Sequence, residues 1–182
     1  MTGSRHHRMI GWATTALVLG VLLGAPAPAR ADIEEIVLRV DGLACPFCAY
    51  GLEKKLGRVS GVDQVDVQMD AGRVILTPSR GTVVSVDTVE RAVSDAGFSL
   101  RSTELTATGR LGERGGALVL WLDGPSGAAI ELVGGEVPDD EFARRVGDAS
   151  VRVSGRLQTI RQEAGRIVFV LTVDRYERVQ PA

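Results

Sequence analysis

The chain has 182 residues, 45% of them hydrophobic and 24% charged, with a formal net charge of −2 at pH 7. That length holds one domain or two small ones, and with only 4% aromatic residues any core is built from Val, Leu, Ile and Ala. Both histidines, His6 and His7, fall in a leading segment expected to be removed. The remaining chain then has no Ser-His-Asp triad, no Cys-His pair and no His-ligated zinc or copper.

The leading segment reads as a secretory signal peptide. Arg5, His6, His7 and Arg8 form a basic start, Ile10 to Gly24 is an uncharged apolar run, and Ala29-Arg30-Ala31 sets small residues where a signal peptidase reads. The apolar run is shorter than the roughly 20 residues that span a bilayer, and the prolines of Ala25 to Pro28 end any helix there. Cleavage is expected between Ala31 and Asp32, giving a periplasmic or secreted protein that meets the membrane only through this segment. Residues 1–31 carry three arginines and no acid, so 21 basic residues fall to 18 against 23 acidic ones, a net charge near −5. Such a surface does not attract nucleic acid.

From Ile33 to Thr106 the apolar spacing alternates between the strand and helix periods. Ile36, Leu38 and Val40 read as a strand; Ala49, Leu52, Leu56 and Val59 as an amphipathic helix broken by Gly57 and Gly61. Val65, Val67 and Met69 alternate, turn at Asp70-Ala71-Gly72 and return through Val74 to Thr77 as a hairpin. Val86, Val89, Val93 and Ala96 are helical, Gly97 closes that helix, and Phe98 to Leu105 is a strand. The order βαββαβ predicts a ferredoxin-like sandwich, an α+β fold with both helices on one face of an antiparallel sheet.

The second half reads as mainly β. Strands are expected near Leu105 to Leu111, then at Ala117 to Leu122, Ala128 to Val133, Val151 to Ile160 and Ile167 to Arg175. A turn is expected at Gly124 to Gly127 and a helix at Pro138 to Val146. Three strands, a helix and two strands resemble the OB-fold, a small five-stranded barrel. The expected organisation is a signal peptide at 1–31, a ferredoxin-like domain at 33–106, a hinge at 107–116 and an OB-like barrel over 104–180. Thr108-Gly-Arg-Leu111 and Ser154-Gly-Arg-Leu157 look alike and read as two similar barrel strands rather than a repeat.

The chemistry concentrates at Gly42-Leu43-Ala44-Cys45-Pro46-Phe47-Cys48-Ala49, between a strand end and a helix start. Pro46 suits the first helical position, where a missing N–H costs nothing. Free amides and the helix dipole there favour negative charge, so both thiols should ionise more readily than a free cysteine. Two thiolates with no evident third ligand suit a soft d¹⁰ ion, Cu(I) or Hg(II), better than zinc, which takes four ligands. Two other readings of the pair are a thiol–disulfide redox site, with Thr77-Pro78 as its candidate proline, and a structural disulfide, whose two-residue loop would add little stability.

These residues resemble the G-M-x-C-x-x-C-A signature of heavy-metal-associated domains, a family that includes copper chaperones and the periplasmic mercury-binding protein. The resemblance covers Ile33 to about Thr106 and implies the same βαββαβ order. It implies that Cys45 and Cys48 are the ligands. It also implies that Phe98, after the Gly97 that ends the second helix, packs near the metal loop. The chain departs from the signature at Leu43, which stands where the family has Met, a volume-conserving swap beneath the loop. Pro46-Phe47 is bulkier than the usual pair between the cysteines; it either shields the site from water or tunes which partner docks.

By this reading the protein is no enzyme but an exported carrier. It passes its ion by thiolate exchange to a partner, a membrane transporter or another metal acceptor, and binds no nucleic acid. The alternative is an extracytoplasmic thiol–disulfide oxidoreductase using Cys45 and Cys48. Glu53, Lys54, Lys55 and Arg58 read as a solvated helix face, Asp139-Asp140-Glu141 as a helix-capping acidic run, and Trp121, Phe169 and Tyr176 as barrel core.

Overall fold

The computed structural model describes residues 32–82, 84–122, 128–135, 150–161 and 167–179. The expected signal peptide, the turn at Gly124 to Gly127, the helix at Pro138 to Val146 and the acidic run Asp139-Asp140-Glu141 lie outside these residues.

Among the described residues, eight strands and two α-helices follow one another along the chain. They are β1 (Asp32–Asp41), α1 (Pro46–Leu56), β2 (Val62–Gln68), β3 (Arg73–Pro78), α2 (Val86–Asp95), β4 (Ser99–Arg114), β5 (Ala117–Trp121), β6 (Ala129–Val133), β7 (Ser150–Arg161) and β8 (Ile167–Arg178). The first six give the expected βαββαβ order, as an antiparallel sheet β2-β3-β1-β4. Its register pairs Ile36 with Leu76 and with Leu105. Ile36, Leu38, Val40, Val74 and Leu76 are buried together with Leu52 and Leu56 of α1 and Val89 and Val93 of α2. Alternate residues face the other way, where Arg39 meets Glu104 at 3.3 Å.

Ala49, Leu52 and Leu56 of α1 and Val86, Val89 and Val93 of α2 recur at three- and four-residue steps and are buried. Ser85 caps α2 by accepting the Thr88 N–H at 3.3 Å. Gly97 follows α2 with φ of +85°, a conformation that favours glycine. Lys55 of α1 donates to the Asp95 carbonyl at 2.7 Å, joining the end of α2 to the last turn of α1.

Strands β4, β5, β6, β8 and β7 form a five-stranded barrel that closes by pairing of β7 with β4. All its contacts are antiparallel except β6 with β8. Residues 107–114, expected as a hinge, are instead the second half of β4. The separate strands expected at Phe98 to Leu105 and Leu105 to Leu111 are one continuous strand. Ala107, Thr108 and Gly109 are buried in succession, because there the strand passes from the sheet into the barrel and is covered on both faces. β1 ends its pairing at Thr108 and β5 takes up the same ladder from Arg110, while β7 pairs residues 103–110 on the opposite edge. The edge that a free ferredoxin-like sheet would expose is thereby covered.

The two look-alike Gly-Arg-Leu segments lie on the paired strands β4 and β7 but are offset along the ladder, with Thr108 opposite Arg152 and Ser154 opposite Thr106. A Cβ on Gly109 would run into the Trp121 carbonyl, and one on Gly155 into the Thr172 carbonyl. Each glycine sits where a neighbouring strand crosses too closely for a side chain. Arg152 of β7 ties the seam, donating to Glu34 of β1 and to Glu177 of β8 at 3.0 Å. One hydrophobic cluster runs through both halves, from Leu52 under α1 to Leu171 in the barrel. The cavity left where Ile33, Val84, Leu105 and Phe169 meet is about 20 Å³, room for one water and no ligand. Phe169 and Tyr176 pack on the core as expected, whereas Trp121 lies against Gly112 with the Arg114 guanidinium 4.9 Å from its ring centroid.

Candidate metal centre

The site is the turn from β1 into α1. Gly42 takes φ of +89° to leave the strand, and the Ala44 N–H donates to its carbonyl at 2.8 Å. Leu43 turns inward and is buried, filling the position below the loop. Cys45 is the N-cap residue and Pro46 opens the helix, with the Ala49 N–H bonded to the Cys45 carbonyl at 2.9 Å. Cys45 is half-buried, Cys48 is exposed one turn on, and neither is in a disulfide.

The two sulfurs interact. The Cys45 thiol titrates below the usual cysteine value, first because the Cys48 thiol donates to it, then because the Cys48 and Phe47 amides aim their N–H groups at it. The Cys48 thiol is pushed up by giving its proton to that bond, by burial and by the neighbouring Cys45 charge. The first turn of α1 holds no acid and its last turn holds Lys54 and Lys55, so the helix field is unopposed where negative charge develops. No cluster of three or more His, Cys, Asp or Glu suited to a metal occurs among the described residues. The arrangement can offer a cation two thiolates, with Cys45 ionising ahead of Cys48.

Phe98 lies just before β4 and is buried, its ring 3.7 Å from where a Gly42 Cβ would stand. It therefore packs against the bend that carries Cys45. Arg101 pairs with Asp41 at the base of the same loop. Sequence reading missed this pair, because one charge on each of two distant strands gives no local signal. Thr77-Pro78, the proline a redox site requires beside its cysteines, ends β3 at the far end of the sheet next to Asp32 and Glu34. That is about 25 Å along the strand from the cysteine loop.

The sequence profile of the heavy-metal-associated domain matches residues 37–99. The mercuric transport protein periplasmic component of Shigella flexneri is 34% identical over 77 residues, covering 42% of this chain and 84% of that protein. The chain belongs to the heavy-metal-associated domain family. The copper chaperone CopZ of Bacillus subtilis is 31% identical over 68 residues, 37% of this chain and 97% of that one. Oxidized MerP from Ralstonia metallidurans CH34, a solved structure, is 28% identical with a TM-score of 0.34, covering 38% of this chain and 94% of that one. The heavy-metal-associated domain thus accounts for β1 to the start of β4, and the match to its profile stops before the barrel.

Proposed function

We propose that this protein captures one soft d¹⁰ ion, Cu(I) or Hg(II), between the thiolates of Cys45 and Cys48 outside the cytoplasm and hands it to an acceptor protein. The observation that carries this reading is a pair of mutually hydrogen-bonded thiols at an acid-free helix N-terminus, with no third ligand group among the described residues. Two-coordinate thiolate binding suits ions of this class, while zinc and hard cations need more ligands. Transfer proceeds by ligand exchange. An acceptor thiolate adds to the ion as a third ligand, and one of Cys45 or Cys48 then leaves and takes up a proton. The oxidation state of the ion does not change.

Phe98 and Leu43 hold the loop from below and leave the sulfurs accessible. The carrier role calls for no catalytic group. The position of Pro78 gives the oxidoreductase alternative no support. The periplasmic mercuric transport relatives and the signal-like residues 1–31 support an extracytoplasmic location. In this reading residues 33–106 are the metal-carrying unit and residues 104–180 an OB-like barrel fused to it through β4. The closed order β4-β5-β6-β8-β7, with its parallel contact between the third and fifth strands, supports the OB-like assignment. The test is anaerobic titration of the reduced mature chain with Cu(I) and Hg(II). One equivalent of either should bind tightly, and the Cys45→Ser/Cys48→Ser double variant should bind none. Full binding by that variant would overturn the reading.

A further inference from the structure

The face of the sheet turned away from the helices carries a row of donors with no carboxylate among them. Register sets Gln68 of β2, Arg73 of β3, Arg39 of β1 and Ser102 of β4 side by side on four neighbouring strands. Each alternates with core-facing positions of its strand, so all four share the outer face. Arg39 and Arg73 are direct cross-strand partners, and like charges so placed cost stability. The two guanidinium groups are drawn to opposite sides, Arg39 Nε to Glu104 at 3.3 Å and Arg73 Nε to the Gln68 side-chain oxygen at 2.6 Å. Gln68 is itself fixed, donating its amide to Asp66 at 2.7 Å. Among the described residues the Arg73 charge therefore meets only a neutral amide, and the Nη groups of both arginines and the Ser102 hydroxyl make no bond. The Arg39 side chain is 43% exposed, covered enough to hold its stem and open enough to admit a ligand.

We propose that Arg39 and Arg73, with Ser102 beside them, form a binding site for a phosphoryl oxyanion. One tetrahedral dianion seated between the two guanidinium groups turns their mutual repulsion into attraction for a shared ligand. Guanidinium forks match such oxygens two at a time, through the Nη groups that the flanking bonds leave unused. Glu104 and Gln68 hold the two forks by Nε and so fix their planes in advance, which lowers the ordering cost of binding. Ser102 supplies a hydroxyl donor next to Arg39. Acidic residues outnumber basic ones in the chain, 23 to 21, so no long-range field gathers anions here. Binding rests on the local geometry, which favours a doubly charged ligand with several oxygens over chloride. The site lies on the sheet face opposite α1 and α2 and operates with or without an ion at Cys45 and Cys48. Inorganic phosphate and the phosphate of a lipid headgroup share this chemistry.

The test is a titration of the reduced, metal-free mature chain with inorganic phosphate at neutral pH and constant ionic strength, followed by the arginine Nε–H signals in NMR. The Arg39 and Arg73 signals should move together and saturate, and chloride in place of phosphate should leave them nearly still. Arg73→Gln and Arg39→Gln should each weaken binding about 10-fold or more, as the loss of a charge-assisted hydrogen-bonding fork does. Arg39→Lys, which keeps the charge and loses the fork, should weaken it several-fold. Because Arg73→Gln also removes a like-charged neighbour, its Tm without phosphate should hold or rise, which separates lost binding from lost folding. Arg91→Gln, exposed on α2, should bind phosphate as the wild type does. Cosedimentation with phosphatidylglycerol vesicles, abolished in Arg39→Gln/Arg73→Gln, would assign the oxyanion to a lipid headgroup; saturable phosphate binding without it assigns a soluble one. Signals that never saturate in the absence of such cosedimentation, equal movement with chloride, or wild-type affinity in either glutamine variant would overturn the proposal.

Discussion

Phe98→Ala removes the ring that backs the cysteine loop. The side chain is only 9% exposed and meets the Gly42 bend at van der Waals distance. Deleting a buried Phe costs about 3–5 kcal/mol, and the lower end applies here because the ring lies at the edge of the core. With a urea slope of about 2 kcal/mol/M, a loss of ~3 kcal/mol lowers the unfolding midpoint by roughly 1.5 M. The same ring fixes where Gly42 leaves β1, and so where Cys45 points. Losing such a support typically weakens metal binding by about 10-fold or more. Urea denaturation followed by far-UV circular dichroism, paired with competition against a Cu(I) chelator, reads both effects on one sample. Phe98→Leu should lose about 1 kcal/mol and keep near-native affinity. A midpoint within about 0.3 M of wild type, together with unchanged affinity, would refute the packing account of the loop.

Three other outcomes follow from the geometry. Because the Cys45 pKa is lowered and the Cys48 pKa raised, raising the pH from acid should make Cys45 reactive first. Mass spectrometry after limiting iodoacetamide at neutral pH should find Cys45 modified ahead of the more exposed Cys48, and the opposite order would contradict the thiol assignment. Gly155→Ala should destabilise by about 3 kcal/mol, since its Cβ would collide with backbone at Thr172 that cannot move aside; a thermal scan reads this directly. The shared β4 and continuous core should make both halves unfold in one transition. Fluorescence of Trp121 in the barrel and circular dichroism of the whole should therefore give coincident curves, and a barrel that melts separately would disprove the fusion.

The sheet-and-helix half was legible because its apolar residues keep strict periods. Ile36, Leu38 and Val40 alternate, while Leu52, Leu56, Val89 and Val93 recur at helical steps, and all of them are buried. The cysteine loop was legible for the same local reason, as Gly42, Cys45, Pro46 and Cys48 follow one another in sequence. The seam was not. Gly109 and Gly112 carry the marks of a linker, yet in β4 they make room for Leu120 and Trp121 from the next strand. Whether a glycine breaks a strand or admits a neighbour depends on a contact that its own segment does not encode. Glu34 likewise reads as an ordinary polar residue of a strand, and only its pairing with Arg152, 118 positions away, gives it a place in the seam. The 88% exposure of Phe47 was equally out of reach, since its position between the cysteines fits a covering shield and an exposed ring alike.

The most direct measurement of the central claim is X-ray absorption spectroscopy of the Cu(I)-loaded, reduced mature chain. The account predicts one ion per chain with two sulfur neighbours and no nitrogen ligand, and loss of that signal in Cys45→Ser and in Cys48→Ser alike. A site with three or four protein ligands, or an intact copper–sulfur signal in either single variant, would contradict it.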